Sequence, residues 1–393
     1  MAVSKPVYRY IPSFFLLFFM TGLLFSSCVA PSAQSVSLLR TPSAETTLNI
    51  PSPTIFPSVT PSGTLVPPTP TSSPTLTPTS TTRPTASRTP APLTQFQTKL
   101  PADVSAVSYM AEPCQVIQDR WDSQKSAPGT IVVPVMIHSI AKTGRPIVDD
   151  TTITEEYYTR FIEQAHQLGF KTITSEQLIG FLLNNEKIPP LSLMLIVDDR
   201  KRAEFFDTYF VPYFKKYNYT VTNAWISHPD TPAYLWKENE PFAPAGIVDF
   251  QAHGVIHNTP MDSSVTEDYI IGEIFGPIAP MREHFGKRPV VFIWPRGIFT
   301  PLAVKIAGEA DYKIGFTAYP RGPLLFNWIP LGQDEQNAGN PLMVLPRYWS
   351  TTAIAAIYEA VEISQSAQAF YQDHKMEDLA YYSQYCSDYP ELN

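Results

Sequence analysis

Two adjacent carboxylates follow an apolar run near the middle of the chain, and their types and spacing could do chemistry. Leu195-Ile196-Val197 leads directly into Asp198 and Asp199, as expected for a buried strand that ends at an acidic pair. Neighbouring carboxylates repel each other and are costly to bury, so a bound cation is an economical way to hold them.

Two histidines, His253 and His257, follow further along the chain, four residues apart. This spacing brings both rings to one side of a helical turn. Imidazole and carboxylate are suitable zinc ligands, and three such ligands leave a position open for catalysis. We therefore expect Asp199, His253 and His257 to bind a divalent metal, with Asp198 as a base beside it. Taken singly, the acidic pair could cap a helix and the histidines could be surface residues.

The surrounding pattern alternates strands and helices. The predicted strands cover residues 131–137, 170–174, 193–197, 220–226, 247–252, 289–294, 312–317 and 342–345. The predicted helices cover residues 154–168, a segment from 175, and residues 204–217, 266–285, 301–310 and 352–363. Such alternation predicts an α/β fold with a parallel sheet, and this many units in under 300 residues favours a closed (β/α) barrel. The candidate residues fall at strand ends, where barrels place their chemistry.

The N-terminus has the features of an export signal. Lys5 and Arg9 precede the apolar run from Ile11 to Phe25, which is followed by two serines and Cys28. The segment that ends at Cys28 resembles a bacterial lipobox. We expect residues 1–28 to be a signal peptide and Cys28 to be lipidated, which would give a cell-surface lipoprotein. Plain secretion and an uncleaved membrane anchor are the alternatives, because the apolar run is close to the lower length for spanning a bilayer.

Residues 29–100 have the composition of a disordered linker. Thr, Ser and Pro dominate, with thirteen prolines between Pro42 and Pro92, so the segment has few apolar side chains to bury. Residues 101–393 are then one large catalytic domain with 22 Lys and Arg, 35 Asp and Glu, and a net charge of −13. This acidity argues against a nucleic-acid partner, and it is compatible with a cation or with neutral or amine-bearing sugars.

Two further cysteines lie near the ends of that domain. An oxidising compartment would favour a disulfide between Cys114 and Cys386. Such a bridge would close a very long loop, for which the chain-entropy model gives about 4–5 kcal/mol of stabilisation. The alternative is two unpaired thiols.

The motifs, taken in order, resemble the polysaccharide deacetylase family, the NodB-like carbohydrate esterase family four. Val197-Asp198-Asp199-Arg200 corresponds to its Phe-Asp-Asp-Gly motif, and His253 to His257 corresponds to its His-Ser/Thr-x-x-His motif. The other matching segments are His138-Ser139 after the first strand, Glu273 with Phe285-Gly286-Lys287, Trp294-Pro295-Arg296-Gly297, Asp311 to Thr317, and Leu345-Pro346-Arg347. The resemblance extends over about residues 133–350.

This resemblance implies a (β/α) barrel, commonly of seven strands, that removes N-acetyl groups from an amino-sugar polymer of the cell wall or of an exopolysaccharide. The implied metal ligands are Asp199, His253 and His257, and the implied base is Asp198. The implied cofactor is a divalent metal, zinc above all, with cobalt or nickel as alternatives.

The resemblance also implies a substrate-binding turn formed by Trp294, Pro295 and Arg296, with a backbone N–H there that stabilises the oxyanion. The Leu-x-His segment that supplies the proton donor in many members is absent. His138 is then the best candidate donor, and a structural histidine is the alternative. Arg347 would anchor Asp198 or close the barrel.

Three positions depart from the family pattern. Arg200 replaces a glycine, Gly254 replaces a hydroxyl residue, and Arg296 replaces an aromatic residue. These departures leave two alternatives to a deacetylase: a degenerate barrel that binds glycan without turnover, and a hydrolase of another ester or amide.

Overall fold

The computed structural model describes residues 96–147 and 149–392. The predicted signal peptide, Cys28 and nearly all of the predicted linker lie outside these residues. In the described part, no helix combines the length and the apolar character that crossing a membrane requires.

The described chain alternates strands and helices. Its strands, β1 to β13 in chain order, are Val104–Val107, Ile131–Ile137, Ser139–Ala141, Thr152–Thr154, Lys171–Thr172, Leu191–Asp198, Val221–Trp225, Val248–Ala252, Val291–Ile293, Ile314–Phe316, Leu324–Leu325, Ile329–Gly332 and Tyr348–Trp349. Its helices, α1 to α12, are Pro113–Trp121, Glu155–Gln167, Ser175–Asn184, Ala203–Tyr209, Val211–Tyr217, Ala233–Asn239, Glu267–Phe275, Ile278–Phe285, Pro301–Glu309, Gln333–Gln336, Ala353–Asp373 and Lys375–Tyr385.

A curled parallel sheet forms the centre of the domain. Strands β2, β6, β7, β8, β9 and β10 lie side by side in that order, each parallel to the next. The side chains of β2, β7 and β8 are buried throughout, and those of β6 are buried from Ser192 onward. Burial on both faces is typical of parallel sheets covered by helices. The predicted (β/α) barrel is confirmed.

The segment from Leu345 to Trp349 occupies the seventh strand position. Leu345 pairs in parallel with Phe316 of β10, and β13 pairs in parallel with Val135 and Met136 of β2. This short segment thus pairs with both outer strands of the six-stranded sheet, and it closes the barrel.

Helix starts follow the expected capping chemistry. The Thr154 side chain accepts a hydrogen bond from the N–H of Tyr157 at the start of α2. Thr174 and Gln177 form a reciprocal capping box at the start of α3. These side chains satisfy N–H groups that have no partner within the helix.

Two helices that the sequence predicted as continuous are each divided, and those predictions are wrong in this respect. The predicted helix 204–217 breaks at Phe210, two residues before Pro212. The predicted helix 266–285 breaks at Gly276-Pro277. Proline has no N–H to donate to the preceding turn, and its ring clashes with that turn's carbonyl, so a helix is interrupted there.

The C-terminal region also differs from the prediction. Residues 342–345 are not a strand, because Pro341–Met343 forms a 3-10 turn and Leu345 alone of the four pairs with β10. The predicted helix 352–363 extends to Asp373 and is followed by α12. Neither glycine nor proline occurs between Arg347 and Tyr389, so no residue in that stretch forces an earlier end.

Helices α1 and α12 share a small core of their own. A disulfide joins Cys114 to Cys386 across 272 residues, and Ile117, Tyr381 and Tyr382 are buried around it. Beside it, Asp378 accepts hydrogen bonds from Arg120 at 2.7 Å and from the Trp121 indole at 2.9 Å. A covalent bond and a buried ion pair therefore hold the last helix against the first.

We predict that Cys386→Ser lowers the free energy of unfolding by about 2–5 kcal/mol, because the unfolded chain regains the freedom that a long closed loop removes. Chemical denaturation of the full chain measures the difference. Reductant should lower the denaturation midpoint of the wild type to about that of the variant, and it should leave the midpoint of the variant unchanged. Equal midpoints for oxidised and reduced wild type would contradict a stabilising role.

Candidate active site

A cavity of about 260 Å³ opens at the carboxyl ends of the parallel strands. Its lining comes from the ends of six strand positions of the barrel, including the closing segment. The lining residues are His138, Asp198, Asp199, His253, Asn258, Arg296, Gly297, Ala318, Arg347 and Trp349. Residues far apart in the sequence therefore meet here, as expected for a barrel whose chemistry lies at this end.

Asp198 is the last residue of β6 and is buried. Its Oδ1 accepts a hydrogen bond of 2.6 Å from a terminal nitrogen of Arg347, which is also buried. The Nε–H of Arg347 donates to the carbonyl of Thr317, just beyond β10. Arg347 therefore both anchors Asp198 and ties the closing segment to the sheet, so the two roles left open by the sequence are combined.

The environment keeps Asp198 ionised. Burial alone would raise its pKa, but the positive field of Arg347, followed by those of His138 and His253, lowers the pKa to about 2. Because Arg347 occupies Oδ1, the other oxygen remains available toward the cavity. His138 Nε2 lies 3.4 Å from that Oδ2.

Asp199 has a left-handed backbone conformation, with φ at 68°. The buried amide of Asn223 in β7 holds this turn by donating to the carbonyls of Val197 and Asp199, at 2.7 and 2.9 Å. Asp199 Oδ1 lies 3.2 Å from His257 Nε2. The turn therefore separates the two carboxylates, with Asp198 toward Arg347 and Asp199 toward the histidine.

The two histidines differ in their surroundings. His253 is buried, and its Nδ1 lies 2.7 Å from the carbonyl oxygen of Ile293 in β9. A carbonyl can only accept, so the proton lies on Nδ1 and the lone pair on Nε2. The side chain of His257 is 52% exposed, and its Nδ1 lies 3.3 Å from the amide nitrogen of Asn258.

Gly254 connects the first histidine to a turn that Glu273 organises. The buried carboxylate of Glu273 on α7 accepts hydrogen bonds from the N–H groups of Val255, at 2.7 Å, and Ile256. Gly254 has φ at 75°, and a Cβ there would lie 2.6 Å from a Glu273 oxygen. The departure from the family hydroxyl residue is therefore a steric requirement of this turn.

The donor types around the cavity fit a divalent metal. Asp199 and His257 are in contact, Asp199 and His253 line one cavity, and the Nε2 lone pair of His253 is available. As the described side chains stand, no three His, Cys, Asp or Glu groups are close enough together to form a metal site. If the set binds a metal, Asp199, His253 and His257 would hold it.

His138 follows β2 and faces Asp198. Its ring stacks against the indole of Trp349, with centroids 5.8 Å apart and planes at 18°. Burial lowers the pKa of His138, although the charge of Asp198 opposes that effect. Lys201 lies close enough for its charge to interact with both carboxylates, and burial lowers its pKa. Trp349 therefore contacts His138, and Lys201 adds a positive charge near Asp198 and Asp199.

The predicted substrate-binding turn divides into core and surface residues. Trp294 is buried, and its indole N–H donates to the carbonyl of Met343; it is not among the residues that line the cavity. Pro295 is also buried beneath the turn. Arg296 is exposed and lines the cavity. The turn's backbone bonds use the N–H groups of Gly297 and Ile298 and leave that of Arg296 unused.

Arg200 points away from the cavity. Its guanidinium donates to the hydroxyl of Thr231 at 2.6 Å, in the loop that follows β7. The side chain therefore contacts a neighbouring loop, and Arg200 is not among the residues that line the cavity.

Sequence reasoning missed four residues that position the site, namely Asn223, Glu273 as an anchor of the histidine turn, Asn258 and Lys201. One of them left a visible signal: Asn223 is an amide in the middle of the mostly apolar strand β7. The others act through loop geometry, which residue types alone do not specify.

Comparison with known proteins adds a family match. Residues 185–315, about a third of the chain, match the family model described as polysaccharide deacetylase. This segment is therefore similar to the polysaccharide deacetylase family. The match includes Asp198, Asp199, His253 and His257, whereas His138 and Arg347 lie outside it. Deacetylases of this family generally depend on a divalent metal.

Among solved structures, the chain is similar to the deacetylase PplD of Streptococcus pyogenes in complex with acetate, at 19% identity and a TM-score of 0.48 over 58% of this chain and 97% of that one. A de-N-acetylase of Aggregatibacter actinomycetemcomitans has 14% identity and a TM-score of 0.46 over 58% of this chain and 99% of that one. A polysaccharide deacetylase of Bacillus cereus is 15% identical to this chain, with a TM-score of 0.44 over 59% of this chain and 69% of that one. No curated protein matches significantly.

We predict that Arg347→Met destabilises the domain by about 3–5 kcal/mol at pH 7, because it leaves a buried carboxylate unpaired. The folded-state pKa of Asp198 is lower than its unfolded value, so its stabilising effect is complete above about pH 4 and is lost as the pH falls toward 2. The difference between wild type and variant should therefore shrink over that window. Urea titrations at several pH values test this, and a difference independent of pH would contradict it.

We also predict that Gly254→Ala lowers the free energy of unfolding by about 1–3 kcal/mol, since it adds a Cβ against Glu273 at a positive φ. Gly144→Ala is the matched control, because that glycine also has a positive φ and no atom lies near its missing Cβ. Thermal denaturation compares the two variants. Equal losses would show that the contact with Glu273 does not constrain the turn.

Proposed function

We propose that the protein is a metal-dependent hydrolase that removes N-acetyl groups from an N-acetylhexosamine polysaccharide of the cell wall or of an exopolysaccharide. One observation carries the proposal. Asp198 is held by Arg347 through Oδ1 and turns Oδ2 toward a cavity that it shares with Asp199 and His253. The family match supports the reaction class.

Asp199, His253 and His257 would hold the metal. A divalent metal at such a site polarises a carbonyl oxygen and lowers the pKa of water toward neutrality. The Ile293 carbonyl supports this role by fixing the tautomer of His253, and Asn223 supports it by fixing the turn at Asp199.

Asp198 would act as the base. Its low pKa keeps it ionised at neutral pH, and its Oδ2 can accept a proton from the attacking water. The oxygen of that water bonds to the acetamide carbon, and the carbonyl becomes an oxyanion. The backbone N–H of Arg296 would donate to this charge; removing one such donor costs about 3–4 kcal/mol in well-studied enzymes.

His138 would return the proton to the leaving amine. Its Nε2 is 3.4 Å from the oxygen that accepts the proton, and Trp349 restrains the ring. Breaking the carbon–nitrogen bond releases the sugar amine and acetic acid, and transfer of the second water proton from the acid to the amine gives acetate and a protonated amine. A depressed pKa suits this role, because His138 gains a proton only transiently and releases it readily.

Export and surface anchoring are part of the proposal. The export signal, the lipobox-like Cys28 and the Pro-rich linker support a lipoprotein that reaches an external polysaccharide. The disulfide between Cys114 and Cys386 fits an oxidising compartment. The net charge of −13 over residues 101–393 argues against nucleic acid as a partner.

A degenerate, glycan-binding barrel is the second candidate. The absence of three closely grouped metal donors in the described residues favours it. The family also contains pseudoenzymes, such as one from Bacillus anthracis. A hydrolase of another ester or amide would use the same residues, so a substrate panel separates it from the first proposal.

We predict that the full chain releases acetate from acetylated chito-oligomers, that a chelator abolishes this activity, and that zinc or cobalt restores it. Asp198→Asn should lower kcat by about 10²–10⁴-fold with metal still bound, because it removes the base and keeps the ligands. His257→Ala should lose both metal and turnover. An acetate assay and elemental mass spectrometry measure these quantities.

His228→Ala serves as the matched histidine control, because its ring faces Asp230 in a loop away from the cavity. Full activity in Asp198→Asn would reject the assigned base. Acetate release that survives complete removal of metal would reject metal dependence, and glycan binding without any acetate release would favour the degenerate barrel.

A further inference from the structure

Arg296 is the exposed cation at the rim of the cavity. The other lining arginine, Arg347, is buried and committed to Asp198 and Thr317. Among the described residues, Arg296 makes no hydrogen bond or ion pair with its guanidinium. Its side chain therefore offers free donors at the point where substrate enters.

The backbone at Arg296 makes this residue choice unexpected. Its φ is 58°, in the left-handed region, where a residue other than glycine or asparagine costs on the order of 1 kcal/mol. The next residue, Gly297, also has a positive φ, and it packs so closely on Ala318 that a Cβ would clash. The chain thus uses glycine where the turn is crowded, and it keeps a long cationic side chain where the turn faces the cavity.

Among the described residues that line the cavity, the charges are paired except at this position. Arg347 offsets Asp198, and Asp199 lies against His257. Asp262 interacts electrostatically with Arg296, but its carboxylate accepts hydrogen bonds from the backbone and hydroxyl of Ser264, and its pKa is lowered mainly by that hydroxyl. Arg296 is therefore a positive charge without a direct partner.

We infer that Arg296 binds a carboxylate that the substrate carries beside its acetamide, so that the preferred substrate is an acidic N-acetylhexosamine polymer. This inference rests on the proposed deacetylase function and names its substrate class. A guanidinium presents two parallel N–H groups that match the two oxygens of a carboxylate. An aromatic residue, which the family resemblance places here, would instead stack on a neutral sugar ring.

The negative charge of the domain does not oppose this preference at close range. Surface charges are screened beyond about 8–10 Å at physiological ionic strength. A carboxylate that has entered the cavity is therefore governed by the groups that line it, among which Arg296 is the uncommitted one.

The test uses the full chain and three matched acetylated oligomers: one neutral, one with a carboxylate on the carbon next to the acetamide, and one with a phosphate there. The wild type should show about a tenfold higher kcat/KM for the carboxylated oligomer than for the neutral one. Most of this difference should lie in KM, because binding to a remote charge is uniform in ground and transition states. The preference should weaken as salt is added.

Arg296→Gln should reduce the preference to about one- to twofold, and Arg296→Lys should retain part of it. Gln keeps the backbone strain and removes the charge. The change in the ratio of kcat/KM between the carboxylated and neutral oligomers therefore measures the effect of the guanidinium alone. Arg282→Gln is the matched control, because Arg282 is an exposed arginine on α8, away from the lining residues; its ratio should equal that of the wild type.

Three results would overturn the inference: equal kcat/KM for neutral and carboxylated oligomers, a preference that survives Arg296→Gln, or a larger preference for the phosphate. Failure of the proposed function gives a different result, because no oligomer then releases acetate. In that case, dissociation constants for the same three oligomers are measured by calorimetry. The expected preference of each protein for the carboxylated over the neutral oligomer is the same as that given above for kcat/KM.

Discussion

The buried ion pair between Asp198 and Arg347 is the interaction on which the rest of the site depends. A carboxylate at the end of a buried strand needs a partner, and Arg347 provides it from the segment that completes the barrel. The same guanidinium reaches the carbonyl of Thr317. Removing either charge would leave the other buried without compensation, which is more costly than losing an exposed pair.

This arrangement sorts the two adjacent carboxylates into different tasks. Asp198 has one oxygen fixed and one directed toward His138, so it is suited to proton transfer. Asp199 is turned away by its left-handed backbone and meets His257. Asn223 stabilises that backbone from the neighbouring strand. The difference between two chemically identical side chains thus comes from the conformation of one residue.

The sequence was informative where the chemistry is carried by residue type and strand position. The apolar run before Asp198 predicted a buried strand with acidic residues at its end, and β6 has that form. Breaks inside helices were harder to predict, because an apolar periodic pattern continues across Pro212 and Pro277 although the backbone cannot.

The contacts between distant loops could not be predicted. Glu273 was noted as a matching residue, but its bonds to the N–H groups of Val255 and Ile256 depend on how α7 lies beside the loop that follows β8. The burial of Trp294 depends in the same way on the turn at Met343. Residue type identifies a candidate, whereas the packing of neighbouring elements decides whether it reaches the cavity.

The disulfide between α1 and α12 has a consequence for the integrity of the domain. Because it joins positions 272 residues apart, nearly every peptide bond of the barrel lies within the loop that it closes. A protease that cuts any one exposed loop inside it therefore yields two fragments that remain covalently joined. Such a nicked molecule keeps its pieces together, and the packed sheet can still hold the catalytic groups in place.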